Sequence, residues 1–213
     1  MKILSLRSLL KGLMIFLSVG VAAYAFSYFT FKEQNLLASK AKELLASIFY
    51  RTSFYIHAGF GAIALFIGGW QFIKRFRRRY TALHRNAGKV YVIAVMLSSL
   101  AGLIIAFNAN GGIVPVIGFI SLAILWLITD IQAYQTIRGG DVKGHEQWMI
   151  RNYALTFAAV TLRLWIPVLQ IFFKLTFLEA YQIVAWLCWI PNLLVAEAII
   201  YSLRKPKLQL AEK

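Results

Sequence analysis

Acidic residues are scarce in this chain: eight Asp and Glu stand against 23 Lys and Arg, for a formal net charge of +15. Charged residues of both signs make up only 15% of the sequence, whereas a soluble domain carries roughly a quarter. Cysteine is nearly absent too, and the single Cys188 excludes an intrachain disulfide while leaving the redox compartment open. Histidine occurs three times and no apolar run holds two, which excludes a bundle that stacks two bis-histidine haems at different depths. There is no Gly-rich nucleotide loop, no His-Glu-x-x-His and no serine-hydrolase elbow.

What the chain has in quantity is hydrocarbon. Hydrophobic residues make up 60% of it and the mean hydropathy is +0.68. Six runs approach the ~20 residues that a bilayer crossing takes, at 13–31, 54–72, 90–107, 113–134, 153–173 and 181–201. Backbone in lipid must satisfy its own hydrogen bonds, so these runs are expected as helices. The expected fold is an all-α integral membrane bundle of about six transmembrane helices, a single membrane domain over 1–213. Lys2, Arg7 and Lys11 before an apolar run look like the start of a signal peptide. That run continues to Phe31 with no small-residue cleavage site, and it reads as an uncleaved first helix.

The basic residues lie in short loops between the runs, which points to membrane topology and away from nucleic acid. Alternate loops hold 17 and 5 Lys and Arg, placing the N- and C-termini in the cytoplasm. On the outer side, residues 32–53 mix Lys40, Lys42 and Glu43 with Leu36, Leu37, Leu44, Leu45, Ile48 and Phe49. That pattern suits an amphipathic helix on the membrane surface, or a soluble lid. Tyr50, Tyr55, Trp70, Tyr91, Tyr134, Trp148, Tyr153, Tyr181 and Tyr201 fall near run ends and read as interfacial anchors.

Candidate chemistry gathers at two places on the cytoplasmic side. His84, Arg85, Asn86, Gly88 and Lys89 precede the third run; Gly144, His145, Glu146, Gln147, Trp148, Arg151 and Asn152 precede the fifth. Helix N-termini flanked by His, Lys and Arg favour an anion, such as a phosphate, a lipid headgroup or a haem propionate. His84 and His145 are the one histidine pair expected on a single side of the membrane, and so the candidate axial ligands of a haem b. Arg85, Lys89 and Arg151 are the candidate neutralising groups. The plainer reading is that these residues obey the positive-inside rule and touch lipid phosphates.

Inside the apolar runs an expected polar network comprises Arg163, Glu197, Asp130, Asn192 and His57, with Gln71 nearby. Arg163 lies mid-run, where a lone charge costs at least ~2.5–3.5 kcal/mol, and pairing with Glu197 or Asp130 is expected. Below His57, Gly61, Ala64 and Gly68 recur at helical spacing, leaving a shallow groove for a neighbouring helix or a flat cofactor; Ser98 and Gly102 repeat the pattern. Pro167 and Pro191 are expected to kink the fifth and sixth helices.

The stretches His57-Ala58-Gly59-Phe60-Gly61, Gly69-Trp70-Gln71-Phe72, His84-Arg85-Asn86-Ala87-Gly88-Lys89-Val90-Tyr91 and Gly144-His145-Glu146-Gln147-Trp148-Met149-Ile150-Arg151-Asn152-Tyr153, running on to Thr161-Leu162-Arg163, together resemble the domain-of-unknown-function family 2306. The resemblance implies a multi-pass protein of the bacterial inner membrane and carries no activity with it. Two functions remain open: a membrane redox protein holding one haem or a quinone through histidines, and a non-enzymatic transporter or accessory protein with a polar cavity facing the cytoplasm.

Overall fold

The computed structural model describes residues 6–30 and 40–211, and every regular element among them is helical. Six of the described helices are long and apolar enough to cross a membrane: Ser8–Phe29, Ile48–Gln71, Thr81–Ala106, Ile113–Arg138, Val142–Phe172 and Phe177–Arg204. The chain is an all-α, multi-pass membrane protein. Five spans begin earlier than their apolar runs: the first at Ser8, the second at Ile48, the third at Thr81, the fifth at Val142 and the sixth at Phe177. A hydropathy window measures hydrocarbon, whereas a helix ends where its hydrogen bonds end, so polar turns lengthen it beyond the apolar core. Contacts group the chain into two compact units, one ending at Asn108 and the other starting at Ala109.

The first unit contains α1 (Leu6–Ala25) with a 3-10 turn at Phe26–Thr30, α2 (Lys42–Ala46), α3 (Ile48–Gln71), α4 (Lys74–Arg79) and α5 (Thr81–Ala106). Its centre is the packing of α3 on α5, through small buried residues: Ala62, Ala64 and Gly68 on one helix, Ala94, Ser98, Ala101 and Gly102 on the other. Tyr28 meets Phe54 edge to face at 5.2 Å, joining the 3-10 turn to α3. Leucines 36 and 37, part of the expected surface helix, lie outside the described residues. The rest of that loop is not one helix. Lys42–Ala46 is a single short helix whose Leu45 is buried with Tyr28, Tyr50 and Phe54, and Ile48 already starts α3. The Lys40 ammonium donates to the Asn108 carbonyl, and burial pulls its pKa below the usual lysine value.

The second unit contains α6 (Ile113–Arg138), α7 (Val142–Thr156), α8 (Ala158–Phe172), α9 (Phe177–Leu187) and α10 (Ile190–Ala211). Gly140, at φ +81°, reverses the chain after α6, and Asp141 caps α7 by accepting from the Gly144 N–H at 2.8 Å. Thr176 and Glu179 form a reciprocal capping box at the start of α9. The sixth span is interrupted at Cys188 and Trp189. Pro191 stands in the first turn of α10, where its missing N–H costs nothing, but it cannot continue α9. In the fifth span the interruption lies at Phe157 and not at Pro167, which is accommodated inside α8.

Four of the expected interfacial anchors are core residues: Tyr50, Tyr91, Tyr153 and Tyr181 are buried. The early starts of α5 and α7 place Tyr91 and Tyr153 well inside their helices. Trp70, Tyr134 and Tyr201 remain on the outside, as anchors should.

The tightest approach of a glycine to main chain in the second unit is at Gly118, where a Cβ would stand 2.9 Å from the Ala185 carbonyl oxygen. Since backbone cannot swing aside as a side chain can, Gly118→Val should cost about 1–3 kcal/mol. The melting temperature in detergent should fall clearly, while Gly20→Ala, with nothing within 4 Å of the added Cβ, should melt like the parent.

Candidate functional site

Each histidine is fixed through Nδ1 to an acceptor on a neighbouring helix or helix end. His57 in α3 stands 2.9 Å from the Ser98 carbonyl of α5, and the Ser98 hydroxyl donates to the His57 carbonyl at 2.8 Å. The groove expected beneath His57 is therefore filled. Gly61 faces the Ser98 hydroxyl, and Gly102 lets the imidazole lie against α5, where a Cβ would come within 2.8 Å of Nδ1. Small residues here admit a helix, not a flat cofactor.

His84 and His145, expected just before their helices, lie inside them, in the first turns of α5 and α7. His84 Nδ1 meets the Gln71 side-chain oxygen at the end of α3. His145 Nδ1 lies 2.8 Å from the Ala133 carbonyl near the end of α6. In both units a histidine at the start of one spanning helix bonds back to the end of the preceding span: α3 for His84, across the short α4, and α6 for His145.

The expected anion site at the α7 N-terminus is already served by the Asp141 carboxylate, which takes the Gly144 N–H. Arg151, expected in a loop and free for a propionate, is well inside α7. It holds Glu197 of α10 through two hydrogen bonds, at 2.5 and 2.9 Å, and its guanidinium lies over the Trp148 ring at 4.7 Å. Arg85 and Lys89 are exposed in α5. The expected pairing of Arg163 with Glu197 or Asp130 gives way to this arrangement. Arg163 donates to its own helix, to the Ala159 carbonyl at 2.8 Å, while Glu197 belongs to Arg151.

Asn192 is the hub of the second unit. Its amide donates to the Cys188 carbonyl at 2.9 Å, and to the Ala154 carbonyl and Thr161 hydroxyl at 3.1 Å each, while Thr161 donates to the Cys188 carbonyl at 2.6 Å. These bonds occupy carbonyls at the two interruptions. A second network links α6 to α7. Asn152 donates to the Trp126 carbonyl and the Thr129 hydroxyl at 2.9 Å, and the Trp126 indole donates to the Thr156 hydroxyl at 2.9 Å. Nothing in the hydropathy pattern sets Thr129 and Thr156 apart from other small residues; only their helical spacing from Trp126 and Asn152 hints at a shared face. Asp130, next to Thr129, is buried.

Among the described residues no three His, Cys, Asp or Glu come together as a metal-ion site. The Arg151–Glu197 pair predicts a specific rescue. Charge-assisted hydrogen bonds contribute roughly 1.5–3 kcal/mol, so Arg151→Glu should lower the folded yield and melting temperature, and adding Glu197→Arg should recover most of the loss. The same Glu197→Arg change combined with Arg163→Glu should recover nothing.

A family model described as a predicted membrane protein (DUF2306) matches residues 54–200, from α3 into α10. No curated protein and no solved structure matches the chain. The match takes in all three histidines together with Asp130, Arg151, Arg163, Asn192 and Glu197. With about two thirds of its length inside one family model, the chain belongs to the DUF2306 family of membrane proteins.

Proposed function

We propose that the chain is a redox protein of the bacterial cytoplasmic membrane that binds one haem b or a quinone through histidine. His145 is the first ligand candidate; His84, in the other unit, is an alternative to it and not its partner. The observation behind this reading is the state of the His145 ring. A carbonyl can only accept, so the Nδ1 facing Ala133 O carries the hydrogen, and the Nε2 lone pair is left for a ligand. Metal-binding histidines are oriented in this way, with the far N–H given to a carbonyl or carboxylate. His84 is held similarly by Gln71. In donor chemistry these residues fit a haem, which would supply one-electron transfer; a quinone would instead use the imidazole as a hydrogen-bond partner. Arg85 and Lys89, exposed beside His84, offer cations to propionates or headgroups.

Transport is the second reading, favoured by the interruptions at Phe157 and at Cys188–Trp189 within two spans. Their carbonyls at Ala154 and Cys188 are engaged by Asn192 and Thr161, which supports a closed structural joint better than a substrate seat.

The visible spectrum decides the haem version. Protein purified from cells supplied with haem precursor should show haem absorbance that changes on reduction, lost in His145→Ala and retained in His57→Ala. A colourless protein refutes haem, and the quinone version then requires a quinone that co-purifies with the parent and is lost in His145→Ala. Recovering neither ends the redox reading. Orientation is tested separately: reporter fusions after Gly112 and after Lys207 should report opposite sides of the membrane, and agreement between them would overturn cytoplasmic termini.

A further inference from the structure

Asp130 is 1% exposed, and its Oδ1 has no hydrogen-bond partner. It sits eight residues before the end of α6 at Arg138, about 12 Å along the helix at ~1.5 Å per residue. An aspartate has one methylene, too short a stem to carry its charge to the headgroups as Lys or Arg can. The nearby donors are directed elsewhere. Asn152 gives its amide hydrogens to the Trp126 carbonyl and Thr129 hydroxyl, Thr129 donates to the Trp126 carbonyl at 3.0 Å, and the Trp126 indole serves Thr156. These bonds of α6 and α7 run beside Asp130 without including it.

The charged and titratable side chains on the elements packed against α6 do not bond to Asp130 either. On α7, His145 is fixed to Ala133, and Arg151 is fixed to Glu197; Glu146 and Lys143 lie in the first turns. On α9 the one acidic group, Glu179, is in the capping box at the helix start. The buried phenols Tyr153 of α7 and Tyr181 of α9 lie against Phe157 and against Phe119 and Phe177. An ionised carboxylate left buried without a cation or donors is the most costly arrangement a membrane interior can hold.

We propose that Asp130 is a proton-binding site in the membrane interior, occupied as the neutral carboxylic acid. A proton taken from water forms the O–H bond and removes the charge, converting an acceptor-only group into one that can also donate. Intramembrane carboxyls that gain and lose a proton are the working parts of proton-coupled membrane proteins. The inference assigns this chain a proton-handling group and holds whether or not a haem or quinone is bound.

The chain has two aspartates, Asp130 and the exposed Asp141, which makes a clean test available. Full-length protein carrying carbon-13 at the aspartate carboxyl, in an Asp141→Asn background that keeps a capping side chain, leaves Asp130 as the single labelled group. At neutral pH its infrared spectrum should show an isotope-shifted carbonyl stretch of a protonated carboxyl. Without the label, the corresponding band should be present in the parent and lost in Asp130→Asn. A labelled chain that shows only the symmetric and antisymmetric carboxylate stretches overturns the proposal, and this measurement does not require Asp130→Asn to fold. Both arms are independent of the visible spectrum, so the redox reading and the proton site can fail separately.

Discussion

In hydrocarbon there is no water to receive a spare donor or acceptor, and this constraint organises nearly every polar side chain within the spans. Ser18 donates to the Met14 carbonyl, Ser53 to Phe49 and Thr136 to Gln132, each one turn back along its own helix. The larger polar groups do the same between helices: His57 with Ser98, His145 with Ala133, Asn152 with Trp126, Asn192 with Ala154. Polar residues here fasten backbone to backbone. Arg163 follows the same logic, donating to the Ala159 carbonyl one turn back along its own helix.

The same constraint accounts for what could and could not be read from the amino acids. The number of spans follows from the cost of transferring each residue type into lipid, a property of single residues, and so composition alone reveals it. Partner choice is a property of helix rotation and register. Arg151 looks like a loop cation because charge sits beside it in sequence, yet it lies well inside α7 and reaches Glu197 on α10. Tyr91 and Tyr153 look interfacial for the same reason, until the polar first turns of α5 and α7 are counted as helix. The small residues of α3 were legible as a contact face. That the contact would be Ser98 and Gly102, with the His57 ring against the latter, depends on a rotation that hydropathy does not encode.

The two units solve one problem in the same manner. At the end where a hairpin of long helices turns, a histidine in the early part of the second helix ties back to the first, through a side-chain amide in one case and a main-chain carbonyl in the other. A ring held by one nitrogen loses rotational freedom, and the other nitrogen points in a set direction. Preorganisation of that kind reduces the entropy lost when a ligand is captured, so a structural clamp and a ligand site are compatible uses of one imidazole.

The bonds made by Asn192 have a consequence for biogenesis. Spans enter the bilayer in order as the ribosome delivers them, and the fifth arrives with its Ala154 carbonyl and Thr161 hydroxyl lacking the donor that the sixth will bring. Until that last segment is threaded into place, the joint at Phe157 lacks the bonds from Asn192. The nascent second unit should therefore pass through an interval that closes only when Asn192 docks.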